Sequence, residues 1–109
     1  MTAKIDIETG ILTSAKCIQR TVDFDRHPDS NSPIKGVKIP NWDNVKKEML
    51  ALANKFPYLY FIAWDILLTE EGIAIIEANT SSGVNILQLW GGQRKTKLGD
   101  FYRYHKVIK

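Results

Sequence analysis

The chain has a single cysteine, Cys17. It cannot close an internal disulfide, and without a second thiol there is no zinc ribbon and no CxxC redox pair, so Cys17 reads as a small buried hydrophobe. Long apolar runs are also missing. No window approaches ~18 uninterrupted apolar residues, and the opening MTAKIDIETG carries no apolar signal core, which argues against transmembrane and secretory readings and leaves a cytoplasmic protein as the expectation. Neither G-x-x-x-x-G-K-[ST] nor G-x-G-x-x-G occurs, so the common phosphate-cradling loops are excluded. With two histidines in the chain, His27 and His105, there is no Ser/His/Asp order and no zinc-ligand spacing. Internal repeats and low-complexity tracts are absent.

What remains is an ordinary composition: 109 residues, 44% hydrophobic and 25% charged, the profile of one folded domain spanning 1–109. Such a chain is expected to bury roughly two-thirds of its unfolded surface, with no room for two complete lobes. The net charge of +3 is unevenly placed. Arg94, Lys95, Lys97, Arg103, Lys106 and Lys109 face Asp100 alone, which leaves the rest of the chain at a net −2. One reading of this basic end is a footprint for phosphate or nucleic acid, aided by Phe101, Tyr102 and Tyr104. The reading preferred here is a helix capped by Asp100, with Phe101, Tyr104 and Ile108 facing the core and the cations solvated; nucleic acid is not expected as a partner.

Along the chain, Ile5, Ile7 and Ile11 and the stretch Leu12 to Ile18 surround Glu8-Thr9-Gly10, the pattern of a β-hairpin with glycine at its turn. From Asp23 to Pro40 the density of Pro, Gly, Ser and Asn predicts a loop, long enough to be a functional candidate. From Asn41, the positions Trp42, Val45, Met49, Leu52, Ala53 and Phe56 recur at helical spacing, with Asn41 as N-cap and Pro57 as stop. Leu59–Leu68 and Ile73–Ile76, separated by Glu70-Glu71-Gly72, read as the buried strands of a second hairpin. Thr80-Ser81-Ser82-Gly83 then turns into a short helix through Leu87 and Leu89, ended by Gly91-Gly92. The expected class is α+β, a largely antiparallel sheet backed by helices.

One constellation does not fit a plain core. Asp65 interrupts the apolar run Tyr60-Phe61-Ile62-Ala63-Trp64, and Glu77 ends the run Ile73-Ala74-Ile75-Ile76, with Asn79 two residues on. If the intervening turn has three residues with Gly72 left-handed, Thr69 pairs with Ile73 and Asp65 lies opposite Glu77. Asn79 then shares their face by strand alternation. Like charges directly across two strands are destabilising unless neutralised, and a divalent cation does this most directly. An all-oxygen set without imidazole or thiolate suits Mg²⁺ or Mn²⁺, which usually completes its shell with substrate phosphates. The competing reading is that the acids lie on a solvent face, or that a two-residue turn sends Asp65 to the opposite side.

Trp64-Asp65-Ile66, Gly72 and Ile75-Ile76-Glu77-Ala78-Asn79 resemble the carboxyl-terminal metal-binding motif of ATP-grasp enzymes, an acid on one strand and Glu-x-Asn on the next. More narrowly, His27-Pro28-Asp29-Ser30, Lys35-Gly36, Ile39-Pro40 and Ala63-Trp64-Asp65 resemble the sugar-transfer-associated ATP-grasp group, over about residues 5 to 92. The resemblance implies that Asp65, Glu77 and Asn79 hold Mg²⁺ between ATP phosphates, with ATP as cosubstrate. It also implies that a substrate carboxylate is phosphorylated to an acyl phosphate and then attacked by an amine or similar nucleophile. Thr80, Ser81, Ser82 and Gly83 are candidates to meet substrate or phosphate at a helix N-terminus, alongside the cap reading. Arg20 and Lys35 are candidate phosphate cations, and His27 a candidate base or substrate contact.

Two departures stand beside the match. Many ATP-grasp enzymes carry Arg two residues before the strand acid, where this chain has Ala63. The adenine-contacting lobe with its lysines and glycine-rich loop has no counterpart here. The chain is therefore expected to be the carboxyl-terminal lobe of a carboxylate ligase connected with cell-surface polysaccharide modification, inactive alone and needing its missing N-terminal lobe. The alternative is a non-catalytic module that retains the fold and engages an anionic partner through its basic end.

Overall fold

A computed structural model describes residues 1–109, apart from the side chains of Arg20 and Thr21. The first three strands, β1 (Thr2–Ile5), β2 (Leu12–Cys17) and β3 (Arg20–Phe24), form one antiparallel sheet in the order β1-β2-β3. The helix α1 (Trp42–Asn54) follows, then a separate antiparallel pair, β4 (Ala63–Thr69) and β5 (Gly72–Asn79). Two 3₁₀ turns, Ile86–Trp90 and Gln93–Lys95, lead to α2 (Lys97–Tyr104). The class is α+β with antiparallel strands and helices, as the sequence predicts, the strands being divided between two sheets.

The first hairpin turns through Gly10, whose φ of 73° places it in the left-handed region. A side chain there is excluded twice over, because an ideal Cβ would stand 2.4 Å from Cγ of Trp42. Trp42 is held by its indole N–H, which donates to the Ile7 carbonyl at 2.8 Å, so the start of α1 is fixed to the β1–β2 turn. The segment between β3 and α1 is an ordered loop. The Ile34 and Lys35 N–H groups both donate to the Asp25 carbonyl, and the Gly36 and Ile39 N–H groups return to the carbonyls of Leu12 and Gly10. Because β3 reaches Phe24, this loop begins two residues later than the composition suggests.

Most of the predicted stripe faces inward, with Val45 buried and Trp42, Met49, Leu52 and, just past α1, Phe56 half-buried; Ala53 is exposed against expectation, as is Leu50 outside the stripe. Asn41 is the N-cap by position only. It sits at φ 52°, a conformation Asn tolerates, and makes no side-chain cap. The predicted strand Leu59–Leu68 begins at Ala63 instead, because Tyr60 and Phe61 pack against the C-terminal aromatics rather than against a strand.

Four further expectations are corrected at the C-terminus and in the core. Asp100 lies in the first turn of α2, paired to Arg103, and Thr96 holds the N-cap position. Tyr104 is 82% exposed rather than core-facing, whereas Phe101 and Ile108 are half-buried. Cys17 is likewise half-buried. Among the described residues, the buried apolar side chains are Ala15 and Val45 alone. The accessible surface is 8642 Å², against about 6,100 Å² for a self-contained monomer of this mass, so about half of the unfolded surface is buried and not two-thirds. The radius of gyration, 15.4 Å, likewise exceeds the ~13 Å of a closed domain of this length. No helix among the described residues is long and apolar enough to cross a membrane.

Candidate functional site

The site is built on the β4–β5 hairpin. Thr69 pairs with Gly72 across a two-residue turn, Glu70-Glu71, so the three-residue turn predicted from Gly72 does not form. This register alone would move Asp65 off Glu77. A β-bulge between Asp65 and Ile66 restores it: Ile66 pairs with Ile75, Asp65 with Glu77, and Ile76 is the extra residue on β5. Two one-residue shifts cancel, and the predicted opposition of the two carboxylates stands.

Beyond the bulge the pairing is regular, Trp64 with Ala78 and Ala63 with Asn79. Strand alternation therefore puts Asp65, Glu77 and Asn79 on one face and Trp64 on the other. Trp64 packs on Phe56 at a ring separation of 6.2 Å, which assigns its face to the α1 side. Asp65, Glu77 and Asn79 are all exposed.

Directly opposed residues of an antiparallel pair bring their Cβ atoms to ~4.5–5.5 Å, close enough for one cation to bridge two carboxylates. Among the described residues, neither Asp65 nor Glu77 has a salt-bridge or side-chain hydrogen-bond partner. No group of three or more His, Cys, Asp or Glu among the described residues could hold a metal ion, so a site here would need the amide oxygen of Asn79 as its third donor. Asn79 Oδ1 accepts the Ser81 N–H at 2.8 Å, an Asx turn that fixes the side chain and leaves its second lone pair free. Three hard oxygens, two of them charged and uncompensated, fit Mg²⁺ or Mn²⁺ with the remaining positions taken by water or phosphate.

The other predicted residues divide differently. Thr80-Ser81-Ser82-Gly83 follows Asn79 directly, but the next 3₁₀ turn starts at Ile86 with Asn85 at its N-cap, so the segment is not a helix N-terminus. His27 serves its own loop: its Nδ1 accepts the Asp29 and Ser30 N–H groups at 3.2 and 3.4 Å. Lys35 lines a cleft of about 600 Å³ over β2 with Lys16, Asp23 and Trp90, which contains none of Asp65, Glu77 and Asn79. The Arg20 side chain lies outside the described residues. Trp42 and Trp64 are packing residues, as their helix and strand spacing predicts.

Sequence reasoning missed a cleft of about 510 Å³ where the β4–β5 turn meets the start of α1, with Glu48, Glu70 and Glu71 in its lining. One carboxylate oxygen of Glu48, Oε2, is buried there without a hydrogen-bond partner. No local pattern signals it, since Glu48 is one polar position among several on α1.

The model of the sugar-transfer associated ATP-grasp family matches residues 1–98. The chain belongs to this family. The match covers both sheets, the ordered loop and α1, and ends where α2 begins. No curated protein matches the chain, and no solved structure does. ATP-grasp membership makes this an ATP-dependent, ligase-like, nucleotide-binding domain, of a family that generally uses ATP and Mg²⁺.

Proposed function

We propose that residues 1–109 form the carboxyl-terminal, metal-holding lobe of an ATP- and Mg²⁺-dependent carboxylate ligase that works through an acyl phosphate, in the service of cell-surface glycan modification. The observation that carries this reading is the opposition of Asp65 and Glu77, with Asn79 on the same face and no salt bridge to either acid among the described residues. When bound, the metal would supply charge neutralisation at the transferring phosphoryl group. The chain's own contribution is positional. Asp65 and Glu77 present fixed negative charge from a paired backbone, Asn79 orients a neutral oxygen, and the Asx turn aims Thr80–Ser82 at the same end of the hairpin.

The excess of accessible surface supports a lobe that closes against another one. It amounts to about 2,500 Å² over a self-contained monomer, the scale of a large permanent interface. Leu67, Ile75 and Ile76, beside the acids, are among the exposed apolar side chains. Half an active site of this kind positions no γ-phosphate, so the chain alone should hydrolyse ATP no faster than buffer. The module reading draws less support from the tail, where Arg94 donates to the Lys109 carbonyl and Arg103 to that of Arg94, each at 2.8 Å.

Calorimetric titration with Mn²⁺ tests the proposal on the chain itself. Weak binding that disappears in Asp65→Asn/Glu77→Gln is the expected result, and equal binding by both proteins would refute the assignment.

A further inference from the structure

A third cleft, of about 590 Å³, lies between the stretch ahead of β4, the turn after β5 and the C-terminal segment. Its size is that of small-molecule sites. One side is aromatic: the Tyr60 ring lies 4.8 Å from His105 at 32°, Phe61 lies 5.9 Å from Phe101, and Phe101 lies 4.4 Å from His105. The lining also includes Thr80, Ser81 and Ser82, whose hydroxyls have no hydrogen-bond partner among the described residues. Among the described residues, no carboxylate, lysine or arginine lines the cleft. Tyr60 and Phe61 of this wall lie within the residues of the family match, and Phe101, Tyr102 and His105 lie after residue 98.

These features restrict the ligand. A strongly charged molecule would lose hydration with no counter-charge to replace it. A purely apolar one would leave three hydroxyls facing hydrocarbon. A ring with an apolar face and a hydroxylated rim satisfies both walls, stacking its C–H face on aromatic planes while its hydroxyls meet Thr80, Ser81 and Ser82. Tyr60 is 73% exposed, one ring face toward His105, which leaves aromatic surface free for such a partner.

We infer that this cleft binds a neutral pyranose ring, the sugar portion of the acceptor. The inference rests on the ligase reading for what the bound sugar is for, and on the cleft alone for its existence. The Asx bond from Ser81 to Asn79 ties the hydroxyl wall to the end of β5 that carries the acid face.

The test is titration of the ¹⁵N-labelled chain with neutral methyl hexopyranosides, followed by amide shifts, with benzyl alcohol as the apolar control. Expected are saturable shifts in the millimolar range, confined to residues 58–61, 80–84 and 101–108. Affinity should fall about tenfold in Tyr60→Ala and measurably in Ser82→Ala. Tyr60 is exposed enough that its replacement leaves the fold intact, which the rest of the spectrum reports. Absence of saturable shifts, binding of benzyl alcohol in place of the glycosides, or glycoside binding unchanged in both variants would overturn the inference. The variant Asp65→Asn/Glu77→Gln separates the two proposals. It should keep the glycoside shifts while losing Mn²⁺, whereas an unsubstituted chain that responds to Mn²⁺ but shows no saturable glycoside shifts sinks this inference alone.

Discussion

The β1–β3 sheet with its loop and the β4–β5 hairpin are both antiparallel and both rich in acids, yet they treat those acids in opposite ways. In the first region Asp6, Asp23 and Asp25 have partners. Ser14 bonds Asp25, Lys16 pairs with Asp23, and Asp6 accepts the Glu8 and Thr9 N–H groups at 2.9 Å. Arg26 donates to Asn31, and His27 receives its own loop's backbone. In the second region Asp65 and Glu77 are paired across the strands, and among the described residues neither has a salt-bridge or side-chain hydrogen-bond partner. Charge that is internally satisfied serves the fold, whereas charge held against like charge on a paired backbone costs stability and is available to a ligand.

That contrast has measurable consequences, of which the largest lies in the first region. Gly10→Ala should destabilise the chain by about 2–4 kcal/mol, combining a left-handed φ with overpacking against Trp42. Gly36→Ala, at φ 82° but with open space around it, should cost only about 1 kcal/mol. Urea denaturation of the two variants reads the difference directly.

Much of the architecture was legible because its causes are local. Gly10 in a turn, the stripe from Trp42 to Phe56 and the Gly91 stop each depend on a few neighbouring residues. The hairpin register was legible in outcome but not in cause. Glu70-Glu71 lacks the Asn-Gly or Asp-Gly signature of a two-residue turn, and Ile76 is indistinguishable from the isoleucines around it, so neither shift could be read, only their sum. The start of β4 was misplaced because Tyr60 and Phe61 answer to α2, some forty residues away in sequence. Sparse burial was invisible for a related reason: apolar content shows what can be buried and does not say whether the covering surface lies within the same residues.

A smaller effect separates the regions by sign. Asp25→Asn should weaken the bond from Ser14 and lower stability by about 0.5–1 kcal/mol, while Glu77→Gln should leave stability unchanged or raise it by about 0.2–1 kcal/mol by relieving the cross-strand repulsion. Parallel denaturation curves without added metal check both, and destabilisation by Glu77→Gln would show that the carboxylate has a structural partner.

The smallest effect concerns pH. The Thr9 backbone N–H, aided by the Thr9 side chain and the Glu8 N–H, holds the Asp6 carboxyl below its usual range. A depressed folded-state value means that the contribution is present above the unfolded carboxylate range, near pH 4, and is lost as pH falls through the lowered value. Asp6→Asn should therefore be slightly less stable than the parent at neutral pH, with the gap closing in acid. Thermal melts across that range measure it.

In the proposed function, Asp65, Glu77 and Asn79 of the second hairpin form one cation site. Residue-resolved Mn²⁺ broadening in a ¹H–¹⁵N spectrum addresses it most directly, because the acidic turn at Glu70-Glu71 and Glu48 competes for the same ion within the same hairpin region. At substoichiometric Mn²⁺ the amides of Asp65 and of residues 77–79 should broaden first, and Asp65→Asn/Glu77→Gln should abolish this. Broadening that starts at residues 48 and 70–72 and is indifferent to that double substitution would contradict it.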